Sequence, residues 1–249
     1  FLDHAMEVDV DAISDGKEVH VAGIMQHIEE AGIHSGDSAC SLPPVSIKPF
    51  LLKEIENQTK NLALALKVKG FMNIQFAIKK DEIFVIEVNP RASRTVPFVS
   101  KAKGIPLAKI ASRVMAGEKL SKFNLKDKSK GMFAVKEAVF PFNKFPNSDL
   151  LLGPEMKSTG EVMGFDKNFG MAYAKSQIAS SNSLPTNGLA FLSLKDSHKD
   201  EGLGLAKELL KLKFHLCATK GTAEYIKKHG MRCKICLLYT SPSPRDAIP

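Results

Sequence analysis

The sequence has few of the features that mark secreted or membrane proteins. Its 249 residues include four cysteines, at positions 40, 217, 233 and 236, and we expect them to be free thiols in a reducing compartment. Cys233 and Cys236 have the C-x-x-C spacing of a redox or zinc half-site, but no second pair completes it. No apolar run is long enough to span a membrane, and no basic and apolar leader opens the chain. These absences predict a cytoplasmic protein without a membrane partner, or an organellar one if the source is eukaryotic.

The chain has an excess of basic residues, but these residues are not clustered along the sequence. Lysine and arginine number 35 against 27 aspartate and glutamate residues, which gives a net charge of +8. The lysines are scattered rather than arranged in a stripe, so the sequence does not predict a nucleic-acid partner. Small anionic substrates account for the excess equally well. The content of 44% hydrophobic and 25% charged residues is typical of a soluble globular protein with one or two domains.

The most informative stretch runs from Glu82 to Ser100 and reads EIFVIEVNPRASRTVPFVS. It begins as a predicted strand with two faces, Phe84, Ile86 and Val88 on one and Val85, Glu87 and Asn89 on the other. Pro90 then ends the strand, and Arg91 and Arg94 follow. Oxygen ligands and guanidinium groups that leave one strand end suit Mg²⁺ and the phosphates of a nucleotide.

The preceding stretch, Phe71 to Lys79, is predicted to pair with this strand. A three-residue loop over Lys80, Asp81 and Glu82 would place Gln75 opposite Glu87 and Asn73 opposite Asn89. A two-residue loop would instead place Gln75 opposite Ile86 and mix polar with apolar side chains, so the pattern favours the longer loop. A polar strand face is usually only solvated, but the convergence of these side chains favours a functional site.

Other elements follow from periodicity and from turn residues. Strands are expected at Glu7 to Ile13, Glu18 to Gln26 and Ala134 to Phe140, and helices at Pro49 to Lys69 with Gly70 ending it, Val96 to Lys103, Leu107 to Ala116 and Asn168 to Ala179. His27 to Pro44 is expected to be a long irregular segment, and Leu151 to Met163 shows no period. Glu7, Asp9 and Asp11 share one strand face, where they either meet solvent or face cations and hydroxyls.

A linker is predicted at Ser180 to Gly188, and the chain alternates strand and helix after it. The expected order is strand Leu189 to Leu194, helix Glu201 to Lys211, strand Phe214 to Ala218 and helix Thr222 to Lys228. This alternation predicts a parallel sheet.

Several strings carry a resemblance to a known family. Gln75, Glu87, Asn89, Pro90, Arg91 and Arg94 resemble the metal and phosphate site of the ATP-grasp ligases. The longer strings EVDVDAISDG, GIHSGDSACSLP, MNIQFA, VNPRASRTVPFVSKAKGIPLAKIA and PFNKFPNSDLLLGPEMKSTGEVMG resemble the second synthetase half of the carbamoyl phosphate synthase large subunit. The resemblance covers Phe1 to about Ile235.

The resemblance implies an α/β and α+β fold in three parts. Residues 1–181 would be the C-terminal lobe of an ATP-grasp unit, an antiparallel sheet with helices, together with a helical connecting region. Residues 182–235 would begin a methylglyoxal-synthase-like parallel α/β allosteric domain. Residues 236–249 contain CLLYTSPSPRD, which resembles the translation of a sequencing adapter, so they are left out of the fold prediction. The chain also opens inside an element, which is typical of a fragment.

Site residues are carried over from the resemblance position by position. Gln75, Glu87 and Asn89 would hold Mg²⁺ or Mn²⁺, and Arg91 and Arg94 would act in catalysis with Glu87 and Asn89. Leu2 would line the adenine pocket and Glu7 would bind the ribose, while Gly32, Ile33, His34 and Ser35 would contact the nucleotide. A K⁺ ion would bind near His27, Glu29, Ile33 and Ser38. Ornithine would bind at Glu29, Asp37 and Glu137, for which a structural salt-bridge role is the alternative, and a nucleotide effector at Ser193, Lys199, Thr219 and Thr222.

The implied function is the ATP-dependent phosphorylation of carbamate to carbamoyl phosphate, within synthesis from bicarbonate and glutamine-derived ammonia for the pyrimidine and arginine pathways. The intact subunit would partner a glutamine amidotransferase small subunit and form an oligomer, whereas this fragment by itself is expected to be inactive. Alternatives are another ATP-grasp ligase, such as a biotin carboxylase or a purine-pathway carboxylase, and a non-catalytic nucleotide-sensing module.

Overall fold

The computed structural model describes residues 2, 5–129, 131–144 and 150–236 of the chain. They belong to two compact units, Phe1–Ser183 and Leu184–Pro249, and the division falls two residues after the boundary expected at residue 181. Within the described part of the chain, no helix combines the length and the apolar character that crossing a bilayer requires. The predicted adapter-like segment, apart from Cys236, lies outside the described residues.

The first unit is built on a seven-stranded antiparallel sheet with the strand order β5-β4-β1-β2-β3-β6-β7. Its strands are β1 (Met6–Asp15), β2 (Val19–Glu30), β3 (Cys40–Leu42), β4 (Lys69–Lys79), β5 (Glu82–Asn89), β6 (Phe133–Val139) and β7 (Gly160–Asp166). Its helices are α1 (Pro49–Ala65), α2 (Val96–Lys103), α3 (Leu107–Met115) and α4 (Phe169–Ala179), with 3₁₀ turns at Leu120–Lys122 and Phe142–Lys144. The predicted strands and helices of this unit are therefore present, with ends that differ by a few residues.

The interior strand β1 divides the apolar core because its alternate side chains point to opposite faces. Val8 and Val10 pack in a cluster with Leu51 and Ile55 of α1. Ile13 lies in a second cluster with residues of α2 and α3. Glu7, Asp9 and Asp11 have the same parity in β1 as Ile13, so the face that carries them is covered by helices only near Ile13. The fold thereby leaves a polar surface between the strands and the start of α2.

Helix α1 ends earlier than expected. It stops at Ala65, and Lys67 adopts a left-handed conformation with φ of 53°. The amide of Val68 donates to the carbonyl of Ala63 at 3.0 Å, which is the long bond of a Schellman ending. The prediction that Gly70 ends the helix is wrong, because Lys67 takes the position usually given to glycine and Gly70 already lies in β4.

The prediction of an irregular segment from His27 to Pro44 is wrong at residues 27–30 and 40–42 and confirmed for the rest. Strand β2 continues to Glu30, and β3 pairs with it by placing Cys40 opposite His27. Residues 31–39, Pro43 and Pro44 remain irregular. Strand β7 was not predicted within Leu151 to Met163, since its side chains have no clear alternation and it forms by pairing along the whole of β6.

The hairpin of β4 and β5 differs from its prediction in the length of its loop and in a β-bulge. The two differences cancel at the end of the hairpin that carries Gln75 and Glu87. The loop has two residues, Lys80 and Asp81, both with positive φ, and Lys79 pairs with Glu82. A β-bulge then places Phe76 opposite Val85 but Gln75 opposite Glu87, so Ile86 is the extra residue. The three-residue loop and the single apolar face of Phe84, Ile86 and Val88 are wrong. The predicted pairs, Gln75 with Glu87 and Asn73 with Asn89, are confirmed.

The second unit contains a three-stranded parallel sheet in the order β10-β9-β8. The strands are β8 (Gly188–Leu192), β9 (Phe214–Ala218) and β10 (Lys234–Ile235), and the helices are α5 (Lys199–Lys211) and α6 (Lys220–Lys228), with a 3₁₀ turn at Asp196–His198. Leu192, Leu216 and Ile226 form its buried core with the small side chains of Ala206, Ala218 and Ala223. The predicted alternation and parallel pairing are confirmed.

Candidate active site

A cavity of about 530 Å³ opens over the polar surface of β1, β4 and β5 in the first unit. Nine of the predicted site residues line it, namely Glu7, Gly32, Ile33, His34, Ser35, Gln75, Glu87, Arg91 and Arg94. Leu2 and Asn89 are not among the lining residues, although Asn89 contacts a residue that is. The sheet therefore brings together side chains that are up to 87 positions apart in the sequence.

The proposed metal ligands meet at the end of the β4–β5 hairpin. Gln75 lies opposite Glu87, and the Asn89 Nδ2 donates to Glu87 Oε1 at 2.8 Å. Glu87 is exposed, because β5 is an edge strand and the cavity lies in front of it. One carboxylate and two amide oxygens at an open strand end form a donor set of the kind that hard divalent cations prefer.

Two carboxylates of β1, Glu7 and Asp9, form the floor beneath this end of the cavity, and Asp11 lies in the same strand outside the lining. Glu7, Asp9 and Asp11 are 5%, 2% and 1% exposed, so the alternative of a solvated strand edge is wrong. The structural reason is that β1 is an interior strand, between β4 and β2, and that side chains of β2, β4 and the segment before α2 bond to Asp9 and Asp11. Burial raises the pKa of Glu7 above its ordinary value, and the nearby His27 partly opposes that rise.

His27 lies between two of these carboxylates. Its Nε2 is 3.0 Å from Asp9 Oδ2, and its Nδ1 is 3.9 Å from Glu7 Oε1. Asp9 Oδ1 and His27 Nδ1 are buried and have no hydrogen-bond partner within the described parts of the chain. Buried polar atoms of this kind usually have a partner, so the floor has unused capacity for polar ligands.

Asp11 connects β1 to the segment that carries the arginines. Its Oδ1 accepts hydrogen bonds from Asn73 Nδ2 at 3.0 Å and from Ser93 Oγ at 2.7 Å, and its Oδ2 accepts from Thr95 Oγ1 at 2.6 Å. Burial raises the pKa of Asp11 to about 6, although the three hydrogen bonds oppose the shift.

The segment from Gly32 to Gly36 forms the opposite wall of the cavity. The amide of His34 donates to the carbonyl of Gly153 at 2.8 Å, and Lys136 Nζ donates to the carbonyl of Ser35 at 2.8 Å. Glu161 also lines the cavity, and burial raises the pKa of its carboxyl although Lys136 and Arg94 oppose that rise. The wall is thus fixed by contacts with residues more than 100 positions downstream.

Two of the three acidic residues expected to bind ornithine, Glu29 and Glu137, are close enough for their charges to interact. Glu29 Oε2 accepts from the amide of Ala39 at 2.8 Å, while Glu137 accepts from Gln177 Nε2. Burial, together with the charge of Glu29, raises the pKa of Glu137 to about 7.

Asp37 instead fixes the backbone of a neighbouring segment. It accepts from the amides of Lys157 and Ser158 at 2.7 and 2.9 Å. Burial raises the pKa of Asp37, but these hydrogen bonds lower it by more than burial raises it, so the pKa lies below its ordinary value. The amine-binding role assigned to the three acidic residues stays a prediction.

The residues expected near K⁺ include one unsatisfied oxygen. Ser38 Oγ is buried and has no partner within the described residues, and Ser38 is 1% exposed. A neutral hydroxyl oxygen to which no group donates a hydrogen bond has lone pairs that suit a weakly bound monovalent cation.

In the second unit, the predicted effector residues gather at the start of α6. Thr219 Oγ1 and Thr222 Oγ1 are 3.2 Å apart, and the amide of Leu194 donates to Thr222 Oγ1 at 3.2 Å. A Cβ built on Gly221 would lie 3.5 Å from Lys199 Nζ, so this ammonium group is beside the first turn of the helix. Ser193 follows β8 and is exposed. Whether these residues bind an effector stays a prediction.

Several residues of the cavity were not predicted from the sequence as site residues. They are Asp9, Asn73, Ser93, Thr95, Pro154 and Glu161, with Gly36 and Ile86 completing the lining. The period-2 pattern was a signal for Asp9 and Asn73, because they alternate with apolar residues in their strands. Glu161 gave no such signal, since the pairing of β7 with β6 brings it to the cavity. Pro154 gave none either, and it follows Gly153, whose carbonyl accepts from the amide of His34.

Comparison with known proteins gives a consistent result for both units. Residues 1–123 match the family model described as carbamoyl-phosphate synthase L chain, ATP binding domain, and residues 201–247 match an MGS-like domain. The chain is 49% identical, over 98% of its length, to the carbamoyl phosphate synthase large chain, C-terminal section, of Aquifex aeolicus. It is 56% identical, over 94% of its length, to the carbamoyl phosphate synthase large chain of Acidobacterium capsulatum. It spans 49% and 22% of the lengths of these two relatives.

Solved structures extend the likeness to the fold. The biotin carboxylase subunit of pyruvate carboxylase has a TM-score of 0.57 and 13% identity, with 72% of this chain and 46% of that chain covered. The biotin carboxylase domain of a single-chain bacterial carboxylase has a TM-score of 0.50 and 17% identity, with 57% and 34% covered. At these identities the likeness concerns the fold alone. Together with the two family models, it confirms the predicted fold class.

Proposed function

The chain belongs to the family of carbamoyl phosphate synthase large chains, and from this premise we propose that its first unit contributes a phosphoryl-transfer site that converts carbamate to carbamoyl phosphate with ATP. The observation that carries the proposal is the arrangement at the end of β5. Gln75 and Glu87 face each other, Asn89 binds Glu87, and Arg91 and Arg94 line the same cavity.

These residues would have separate roles in the transfer. Gln75, Glu87 and Asn89 would hold Mg²⁺, or Mn²⁺, which would neutralise charge on the nucleotide phosphates. Arg91 and Arg94 would donate hydrogen bonds to the phosphoryl group in transfer and to the carboxylate of carbamate. Catalysis would be mainly positioning and charge stabilisation, because phosphoryl transfer requires little covalent chemistry from the protein.

The wall from Gly32 to Ser35 would contact the nucleotide, and the buried Glu7 would accept hydrogen bonds from the ribose hydroxyls. Leu2 would contact the adenine. The unsatisfied oxygen of Ser38, with Glu29 and the backbone near His27 and Ile33, would bind K⁺. The hard oxygen donors around the cavity fit both kinds of cation.

The whole assembly would take bicarbonate and glutamine-derived ammonia through a glutamine amidotransferase small subunit, in the cytoplasm. The start of the MGS-like domain would bind a nucleotide effector around Ser193, Lys199, Thr219 and Thr222, and Glu29, Asp37 and Glu137 would bind ornithine. Each of these roles belongs to the intact large chain.

Glu87→Gln in the intact large chain tests the proposal. The variant keeps the shape and the hydrogen bond from Asn89 but removes the negative charge. Formation of ATP from MgADP and carbamoyl phosphate, the reverse of the transfer, is expected to fall at least about 100-fold. Glu82→Gln is the matched control, because Glu82 is an exposed carboxylate in the same strand and does not line the cavity. Near-wild-type activity of Glu87→Gln would contradict the proposal.

A further inference from the structure

Asp11 is a buried carboxylate on the polar face of β1, and it has no role in the proposed function. It is 1% exposed and does not line the cavity. Within the described residues no lysine, arginine or histidine forms an ion pair with it. Removing a carboxylate from water without a cation costs several kcal/mol unless hydrogen bonds replace the lost hydration. Its burial in an interior strand therefore depends on the hydrogen bonds that it accepts.

The donors to Asp11 come from both elements that carry the proposed catalytic groups. Asn73 lies in β4, opposite Asn89, and its Nδ2 is 3.0 Å from Asp11 Oδ1. Ser93 and Thr95 lie on either side of Arg94, and their hydroxyls are 2.7 and 2.6 Å from the two carboxylate oxygens. One carboxylate thus fixes the strand that supports Asn89 and both neighbours of Arg94.

The same contacts define where α2 begins. The carbonyl of Thr95 accepts from the amide of Val99 at 2.9 Å in the first turn of the helix. The Ser93 and Thr95 hydroxyls are also 2.7 Å from each other, so they form a triangle with Asp11. The backbone between β5 and α2 is short, from Pro90 to Thr95, and it is held at its downstream end by this triangle. Arg91 and Arg94 lie inside that held segment.

We propose that Asp11 is a positioning residue for phosphoryl transfer, and that it holds the backbone of residues 90–95 so that Arg91 and Arg94 reach the transferring group. The inference rests on the proposed function. Asp11 itself touches neither substrate nor metal, and it acts through Ser93 and Thr95. Displacement of a catalytic group by about 1 Å can reduce a rate by about 100-fold, so a positioning residue can affect the rate strongly.

The test uses Asp11→Asn and Thr95→Val in the intact large chain, assayed by formation of ATP from MgADP and carbamoyl phosphate. Each variant is expected to lower kcat by about 10-fold to 100-fold while the KM for MgADP changes by less than about 3-fold. Thr59→Val is the matched control, because its buried hydroxyl bonds the carbonyl of Ile55 within α1 at 2.7 Å. Its kcat is expected to stay within about 2-fold of wild type.

A double-mutant cycle separates positioning from general stability. If Asp11 acts by placing Arg94, adding Asp11→Asn to Arg94→Ala is expected to slow the enzyme by less than about 3-fold. If the losses in kcat of the two single variants multiply in the double variant, the two residues act independently and the inference is overturned. A wild-type kcat in Asp11→Asn would overturn it as well. If Asp11→Asn does not fold, Ser93→Ala and Thr95→Val decide the question by the same criterion. Activity in Glu87→Gln would refute the proposed function, whereas an inactive Glu87→Gln with a fully active Asp11→Asn would refute only this inference.

Discussion

Gln75 and Glu87 lie directly opposite each other across β4 and β5, although the turn that joins these strands would by itself put Gln75 opposite Ile86. The extra residue of the bulge, Ile86, corrects the register by one position. Val88 therefore returns to the core, where it packs against the cluster that contains Ile74, and Glu87 turns to the cavity. β-Bulges often occur beside functional sites for this reason, since they redirect a side chain without lengthening the loop.

Arg94→Lys is expected to lower kcat for phosphoryl transfer by about 100-fold. Lysine keeps the charge but lacks the planar guanidinium, which can donate two parallel hydrogen bonds to a phosphoryl group. Steady-state kinetics of the intact large chain measure the effect. Arg113→Lys is the control, because Arg113 binds Glu118 on the exposed side of α3, and its kcat should remain within about 2-fold of wild type. Equal kcat values for the two variants would argue against a role of the guanidinium.

Asn89→Ala is expected to raise the Mg²⁺ concentration that gives half-maximal activity by about 10-fold. The variant removes one proposed ligand and also the hydrogen bond that orients Glu87 Oε1. Titration of activity with Mg²⁺ at saturating ATP measures the change. Asn61→Ala, in α1 and outside the cavity, serves as the control. An unchanged Mg²⁺ requirement in Asn89→Ala would exclude Asn89 from the metal site.

Glu137→Gln is expected to stabilise the chain relative to wild type as the pH rises from about 5 to 8. The pKa of Glu137 is raised to about 7 in the folded state by burial and by Glu29, from an ordinary value of 4.5. The native state therefore binds more protons than the unfolded state in this range, and wild-type stability falls as the pH passes through 7. The loss, which the Gln variant avoids, amounts to at most about 3 kcal/mol.

Thermal unfolding of both proteins at several pH values measures this difference. Glu118→Gln is a control of opposite sign, because the hydrogen bond from Arg113 lowers the pKa of Glu118. Removing that carboxylate should give no gain at high pH. A constant difference between Glu137→Gln and wild type across the range would show that Glu137 titrates normally.

Gly164→Ala is expected to destabilise the first unit by about 3 kcal/mol. A Cβ at this position would lie 1.8 Å from the carbonyl oxygen of Ala172 in α4, which is backbone and cannot rotate away. Gly160→Ala is the matched control in the same strand, because its Cβ would meet only Val139 at 3.8 Å. Thermal unfolding distinguishes the two, and similar midpoints would contradict the close packing of α4 on β7.

Much of the fold could be predicted because its elements satisfy their local patterns. The alternation in β1 and β4, the apolar stripe of α1 and the strand and helix alternation after residue 188 all survive in the structure. The pairs of Gln75 with Glu87 and of Asn73 with Asn89 also followed from polarity alone. The errors occur where the structure departs from a local sequence preference. At the end of α1, for example, Lys67 adopts the left-handed conformation that glycine usually takes.

The sequence by itself determined the chemistry at the end of β5, because Glu87, Asn89, Arg91 and Arg94 are held within eight residues and need only one strand to emerge together. Only the tertiary structure decided what surrounds them. The burial of Glu7, Asp9 and Asp11 depends on β1 lying inside the sheet, between β4 and β2, and the contacts of Asp11 join residues 82 and 84 positions away. Strand order and long-range hydrogen bonds are set by the packing of whole elements, so no local pattern in the chain could specify them.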